Sequence, residues 1–306
     1  MPYIIDRVKL VKNRHVFTYS ILVDGNQIRY KDKNFDHLSF MRMDGSKYLM
    51  TPGYIFLDFS LPISNNFQHF KQVMKEKFIL KGCTTIVSII SVQYERQLEK
   101  CLREQRKYLL NSPIDYLIGI MVPLKKLTPN FIRLCKRLKI PLIMILIHEL
   151  RELDEVQWGW IRDALFPQQI PFFPKIKQTI QPNMFKKKWN HIVKTHKFSS
   201  ILDCPKEHQP LSKDILMKIG LYPERGEIHV GGKVNYNLYR YEKKIEIVEE
   251  NALVDYDKHI PEIIVHNGTI LKAGERIFFR SGAGQEIVCS LPGRFRLDST
   301  PIQILH

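Results

Sequence analysis

The stretch YLMTPGYIFLDFS, residues 48–60, divides the chain into two textures. Upstream of it, YIIDRVKLVKN (3–13), HVFTYSILVDGNQIRYKD (15–32) and FDHLSFMRMDGSKYLMTPG (35–53) alternate β-branched or aromatic residues with polar ones. Asp24-Gly25-Asn26 and Asp44-Gly45 supply turn signals, so this part reads as short strands. From Pro52 onward, strands alternate with helices. GYIFLDFS (53–60) is a strand, and in NNFQHFKQVMKEKFILKG (65–82) Phe67, Phe70, Val73, Met74 and Phe78 recur at helical spacing before Gly82 stops the helix. CTTIVSIIS (83–91) is the next strand, QYERQLEKCLREQRKYLLNS (93–112) a charged helix and IDYLIGIMVP (114–123) a third strand. In LTPNFIRLCKRLK (127–139), Thr128 is placed to cap a helix whose first turn holds Pro129. IPLIMILI (140–147) is apolar on both faces, as a parallel strand covered on both sides must be.

Repeated β-α units imply a parallel sheet, either doubly wound or a (β/α) barrel. Beyond them, LDEVQWGWIRDALF (153–166) reads as a helix, QQIPFFPKIKQTIQP (168–182) as an irregular proline-rich connection, and KDILMKIGL (213–221) as a short helix. From about Tyr222 strands and turns return, through GEIHVGGKVNYNLYRYEKKIEIVEENA, EIIVHNGTILKAGERIFF, GQEIVCSL and RFRLD. Strand-rich ends around a β/α middle predict a composite β domain, residues 1–51 with 221–306, beside a β/α domain, residues 52–220.

With 306 residues, 44% hydrophobic and 25% charged, the composition is that of a globular protein. No run approaches about 18 uncharged apolar residues, so no membrane span is expected. The first ten residues carry charges and lack the apolar core of a signal peptide. Five scattered cysteines without C-x-x-C spacing indicate neither a zinc site nor a disulfide framework, and suit the cytoplasm. The formal net charge of +16 favours anionic partners. It is densest in residues 175–197, where Lys175, Lys177, Lys186, Lys187, Lys188 and Lys194 are anion-binding candidates and Phe185 and Trp189 are interleaved. Two readings stand there: a nucleic-acid patch, or a helix from Met184 to about Lys197 that buries Phe185, Trp189, Ile192 and Val193 and solvates its lysines.

Several stretches resemble the amidohydrolase superfamily, in its dihydroorotase/dihydropyrimidinase-like branch. ILVDGNQIRYKD (21–32) is similar to the N-terminal sandwich hairpin of that family, YLMTPGYIFLDFS to the entry into its first barrel strand, and KGCTTIVSII (81–90) to its second. IGLYPERGEIHVGGKVNYNLY (219–239) is similar to the last barrel helix and the return to the sandwich, and HNGTILKAGERI (266–277) to the closing hairpin. The resemblance implies a TIM-like barrel with a composite β-sandwich formed by both termini. Pro52 to Gly220 is only 169 residues, however, whereas a full barrel usually takes about 250 in all. A shortened or incomplete barrel is therefore expected: either a reduced sheet closes differently, or the sandwich or another chain covers the open edges, with a homodimer or protein partner as the natural repair.

The resemblance also implies one or two divalent metals, held by His-x-His on the first strand, often a carboxylated lysine, further histidines and a late aspartate. A metal so held turns bound water into hydroxide at neutral pH. Here Asp58 and Ser60 stand at the His-x-His positions, PLIMILI has no lysine, and the chain contains neither H-x-H nor H-x-x-x-H. His148 follows a strand, and Asp203, Cys204 and His208 fall near where the late aspartate would lie. Asp58, Ser60, His148, Asp203 and His208 are thus the residual pocket candidates. No G-x-S-x-G elbow, G-x-G-x-x-G or P-loop is present, and RSGAGQE (280–286) reads as a hairpin turn. Three functions follow from these readings. The first is an amidohydrolase-like pseudoenzyme with a binding or regulatory role, needing no cofactor. The second is a hydrolase of a cyclic amide or other C–N bond that uses a divalent metal in a non-standard site. The third is a basic module for nucleic acid or another anionic partner.

Overall fold

The computed structural model of the protein describes residues 2–12, 15–61, 66–167, 169–241 and 259–289; the strands expected at 294–298 and over most of 242–252 lie outside these. The N-terminal strands are β1 (Tyr3–Lys12), β2 (His15–Asp24), β3 (Gln27–Asp32), β4 (Met41–Asp44) and β5 (Tyr48–Pro52). After Gly53 comes β6 (Tyr54–Asp58), then α1 (Phe67–Val73), whose N-cap Asn66 accepts from the N–H groups of Gln68 and His69. The helix widens into a π-helical turn over Met74–Phe78, tightens into a 3-10 turn over Ile79–Lys81 and stops at Gly82, where φ is +80° and a Cβ would meet the buried Asn237 amide at 2.6 Å. β7 (Cys83–Ser91), α2 (Leu98–Leu109), β8 (Asp115–Pro123), α3 (Pro129–Arg137) and β9 (Ile143–Ile147) follow. Thr128 caps α3, accepting from the Phe131 N–H at 3.1 Å, as its sequence predicts.

Next come α4 (Glu152–Glu155), α5 (Trp158–Leu165), β10 (Phe172–Ile176), α6 (Pro182–His196) and α7 (Lys213–Ile219), then β11 (Tyr236–Arg240), β12 (Ile263–His266), β13 (Thr269–Ala273) and β14 (Arg276–Ile277). The single helix expected over 153–166 is two, broken at Val156-Gln157. The stretch read as an irregular connection contains β10. Pro174 is tolerated there because β10 ends the run of regular strands, where a missing N–H breaks no central ladder.

Two sheets result. Strands β6 to β10 pair in parallel and in chain order, forming a curled half-barrel. The other sheet is mostly antiparallel, in the order β14-β13-β12-β11-β5-β1-β2-β3, with β4 also on β1. Both ends of the chain build it, because β11 pairs antiparallel with β5, and its strands form one continuous hydrogen-bonded path where the sequence suggests a sandwich.

Alternation along the parallel strands sorts the core into two layers. Tyr54, Phe56, Ile86, Ile118, Ile120, Ile143 and Ile145 face the helices, against Phe70, Leu102, Phe131, Ile161 and Trp189. The opposite face, with Ile55, Leu57, Val87, Ile89, Leu117, Met144 and Phe173, is the inner one. It is filled by Leu216 and Ile219 of α7 together with Ile201, Leu211 and Leu221, and Ile287 and Cys289 pack against it. The short helix α7 thus packs on the inner face rather than among the helices of the outer one.

Of the ways of covering the open edges, the structure shows closure by a segment of this same chain. On the β10 side, Phe172 N–H donates to Ser199 O and Ile201 N–H to Phe172 O. On the β6 side, His208 N–H donates to Leu57 O and Leu211 N–H to Ile55 O. The single segment 199–211 therefore reaches from one edge of the half-barrel to the other.

Candidate functional site

Barrels of this kind hold their chemistry at the C-terminal ends of the strands. At that end the side chain of Asp58 is 1% exposed and shares the strand face of Phe56, toward the helices rather than the interior. Its Oδ1 accepts from the N–H groups of Ser60 (2.9 Å) and Leu61 (2.6 Å), fastening the turn after β6. Its Oδ2 lies 2.5 Å from His208 Nε2, and the imidazole stands edge-on to Phe78 with ring centres 5.3 Å apart. His208 holds this position with a φ of +55°, a left-handed conformation that L side chains seldom adopt. Glu207 beside it accepts from the Phe59 N–H at 2.6 Å. Burial, and secondarily the Asp58 charge, push the Tyr108 phenol up to about 12.

The remaining candidates do not converge on this pair. His148 is exposed after β9, and its N–H donates to the buried Glu152. The Asp203 side chain is 72% exposed and bonds Lys186 at 2.7 Å. Lys188 is bound to Asp154, while Lys177, Lys187 and Lys194 are exposed on the surface. Lys175 lies apart from them at the end of β10, its ammonium 4.0 Å above the Phe59 ring. Burial pushes the Cys204 thiol up to about 11, against the opposing pull of Lys175, so it is protonated at neutral pH. On α6, Phe185, Trp189 and Ile192 are buried and Val193 is partly so, as the helical reading of that stretch requires.

The metal that the resemblance implies does not fit these residues. Asp58 has both oxygens engaged and faces the helices, His148 and Asp203 stand apart, and the inner face below is apolar. Among the described residues no group of three or more His, Cys, Asp or Glu is arranged to hold a metal ion.

The most elaborate polar cluster lies at the opposite end of the strands, and nothing in the sequence spacing announces it. Asp115, the first residue of β8, is buried and receives Arg225 Nη2 at 2.6 Å, His266 Nε2 at 3.3 Å, the Asn267 amide at 3.2 Å and the Gln285 N–H at 2.9 Å. Burial alone would raise its carboxyl; the His266 hydrogen bond, the charges of His266 and Arg225 and the Gln285 N–H outweigh it and hold the group at about 2. Arg225 also reaches Thr85 Oγ1 on β7 at 3.3 Å. The cluster thereby joins the half-barrel to the β12–β13 turn. It also fixes the segment expected to be a hairpin turn, which instead runs as a strap along the lower half of β8, below the first residue paired with β9. There Tyr116 N–H donates to Gln285 O, Ile287 N–H donates to Tyr116 O, and Arg106 grips Glu286 with both Nε and Nη2. Charge at the N-terminal ends of barrel strands reads as stability rather than chemistry.

No protein-family model matches the sequence, and neither does any curated protein. Solved structures do match. A D-hydantoinase aligns with a TM-score of 0.63 at 10% identity, over 94% of this chain and 99% of that one. A triazine hydrolase variant gives 0.58 at 10% identity, over 91% and 96%. A dihydropyrimidinase from Brevibacillus agri gives 0.51 at 11% identity, over 95% and 100%. What is shared at such identities is the fold, and the chain has the fold of the amidohydrolase superfamily. Among the described residues no helix is long and apolar enough to cross a membrane.

Proposed function

We propose that this protein is an amidohydrolase-fold pseudoenzyme, whose barrel end has become a structural closure and which works by binding or regulating a partner. The observation that supports this reading is the filled inner face. Leu216 and Ile219 of α7, with Ile201 and Leu211, pack the inner face with apolar side chains, and no ligand cluster stands there among the described residues, while residues 199–211 bond across from β10 to β6. Asp58 and His208 are then parts of the lid, holding the segment 199–211 to the end of β6. The partner is a second protein or a second copy of this chain in the cytoplasm, and the role requires no cofactor.

A second reading is favoured by one observation, the Asp58–His208 contact itself. A carboxylate orienting an imidazole is a recurring arrangement for a base or a metal ligand. On that reading the protein hydrolyses a cyclic amide or another C–N bond, as the names of the hydantoinase and dihydropyrimidinase imply for those proteins.

Metal content of untagged protein purified without chelator, measured by plasma mass spectrometry beside hydrolysis assays on hydantoin and dihydrouracil, separates the two. The pseudoenzyme reading expects no stoichiometric metal and no turnover above buffer. A stoichiometric zinc, manganese or iron that is lost in Asp58→Ala or His208→Ala, together with ring opening, overturns it.

A further inference from the structure

On the outer, helix-bearing side of the half-barrel, two grooves lie side by side. One, of about 650 Å³, runs between the start of α2 and α3 and is lined by Glu95, Arg96, Glu99, Asn130, Arg133 and Arg137. The other, of about 420 Å³, continues from it between α3 and α5, shares Asn130 and Arg133, and ends at Trp160 and Asp163. From these we infer a binding surface for single-stranded nucleic acid, at a site separate from the barrel end and independent of whether that end is catalytic.

Charge supports this assignment. Residues 124–139, which form α3 and its flanks, hold six basic side chains (Lys125, Lys126, Arg133, Lys136, Arg137 and Lys139) and no acidic one. Two of the three carboxylates along the grooves are neutralised locally: Glu99 by Arg137 at 3.3 Å and Asp163 by Arg162 at 3.1 Å. Arg133 meets only the neutral Asn130 among its described contacts, at 2.9 Å, and so presents its charge to the shared floor of both grooves.

The aromatic side chains narrow the class of anion. Tyr94, 50% exposed, stands at the α2 end, with the Arg96 guanidinium 5.7 Å and the Lys126 ammonium 5.3 Å from its ring centre. At the other end Trp160 is 67% exposed. Large rings held in water at both ends of an arginine-lined track are what unstacked bases pile on while cations follow the phosphates. A duplex keeps its bases stacked inside and would leave these rings unused; a single strand uses both.

The test is fluorescence anisotropy of the full-length protein with a labelled 20-nucleotide oligo-U and oligo-dT at 50 to 200 mM salt, with Trp160 emission followed in parallel. Binding is expected, with quenching of Trp160 and affinity falling linearly on a log–log salt plot. Trp160→Ala should weaken binding by about 5- to 150-fold, the range of one lost stacking contact. Arg96→Ala with Arg133→Ala should lower the salt slope by about 1.4, because each phosphate contact on a single strand contributes about 0.7. All three side chains are exposed, so the variants should fold, and unchanged circular dichroism verifies it. Three results overturn the inference: no binding at 50 mM salt, loss of binding in Lys187→Ala/Lys194→Ala on α6 with the groove variants unaffected, or equal displacement by poly-aspartate, which would make the surface an acidic-peptide site.

Discussion

Replacing Arg225 by methionine tests the account of the buried cluster most directly. The substitution keeps an unbranched apolar stem of similar reach and removes the guanidinium, which is 2.6 Å from Asp115 and 3.3 Å from Thr85. Breaking a buried pair on one side leaves an uncompensated charge and costs about 3–5 kcal/mol. Asp115 is buried by β8, the β12–β13 turn and the strap together, so water does not reach it as a substitute. Urea unfolding followed by tryptophan fluorescence gives the cost, and the double variant Asp115→Asn/Arg225→Met should recover at least half of it, because no unpaired charge remains. The acid limb is a second readout. The carboxyl is depressed from its ordinary 3.8 to about 2, so its contribution is fully present above pH about 4 and is lost as pH falls toward 2. That interval corresponds to about 2.5 kcal/mol, which should vanish from the acid limb in Asp115→Asn. A loss below 1 kcal/mol in Arg225→Met, or a double variant no more stable than the single one, would refute the reasoning.

Three further outcomes follow from other parts of the fold. Asp58→Ala leaves the Ser60 and Leu61 N–H groups without their acceptor and should cost about 1–3 kcal/mol in thermal or urea unfolding. Leu216→Ala opens a hole in the inner core and should cost about 2–5 kcal/mol, whereas an α7 that merely lay on the surface would lose under 1. In Gly284→Ala the new Cβ would lie 1.9 Å from Ile114 O, so the strap must lift, and limited proteolysis should cut within 280–289 at least ten times faster than in the parent.

Much of this architecture is legible in the sequence because it is local. The strands β6 to β9 are apolar runs ended by turn residues, Thr128-Pro129 opens α3, and Gly82 closes the turn after α1, each readable within a few residues. The order of sequence signals at both ends of the chain likewise carries the amidohydrolase fold. Position along a strand hides the rest. Whether Asp58 faces the helices or the interior depends on a shift of one residue against Leu57, and no pattern in FLDFS fixes it. The burial of α7 inside the half-barrel is equally silent, since KDILMKI is as amphipathic as a helix of the outer ring. Two prolines mask β10. The Asp115 cluster draws on residues 85, 115, 225, 266, 267 and 285, whose bonded pairs lie up to 170 positions apart and leave no trace in spacing. Sequence reasoning did bring Asp58 and His208 into one set, 150 positions apart, on the strength of the resemblance alone.

The strap has a consequence for how the molecule is made. Strands β6 to β10 are contiguous and need only neighbours 20 to 30 residues away, so they can assemble while the chain is still being synthesised. Asp115 cannot be buried at that stage, because the last N–H that seals it belongs to Gln285. Until then the lower edge of β8 is unpaired and carries the Asp115 carboxylate, a charge of the kind that opposes edge-to-edge pairing. Closure then comes as a late, long-range event, the docking of about ten residues, 280–289, along β8.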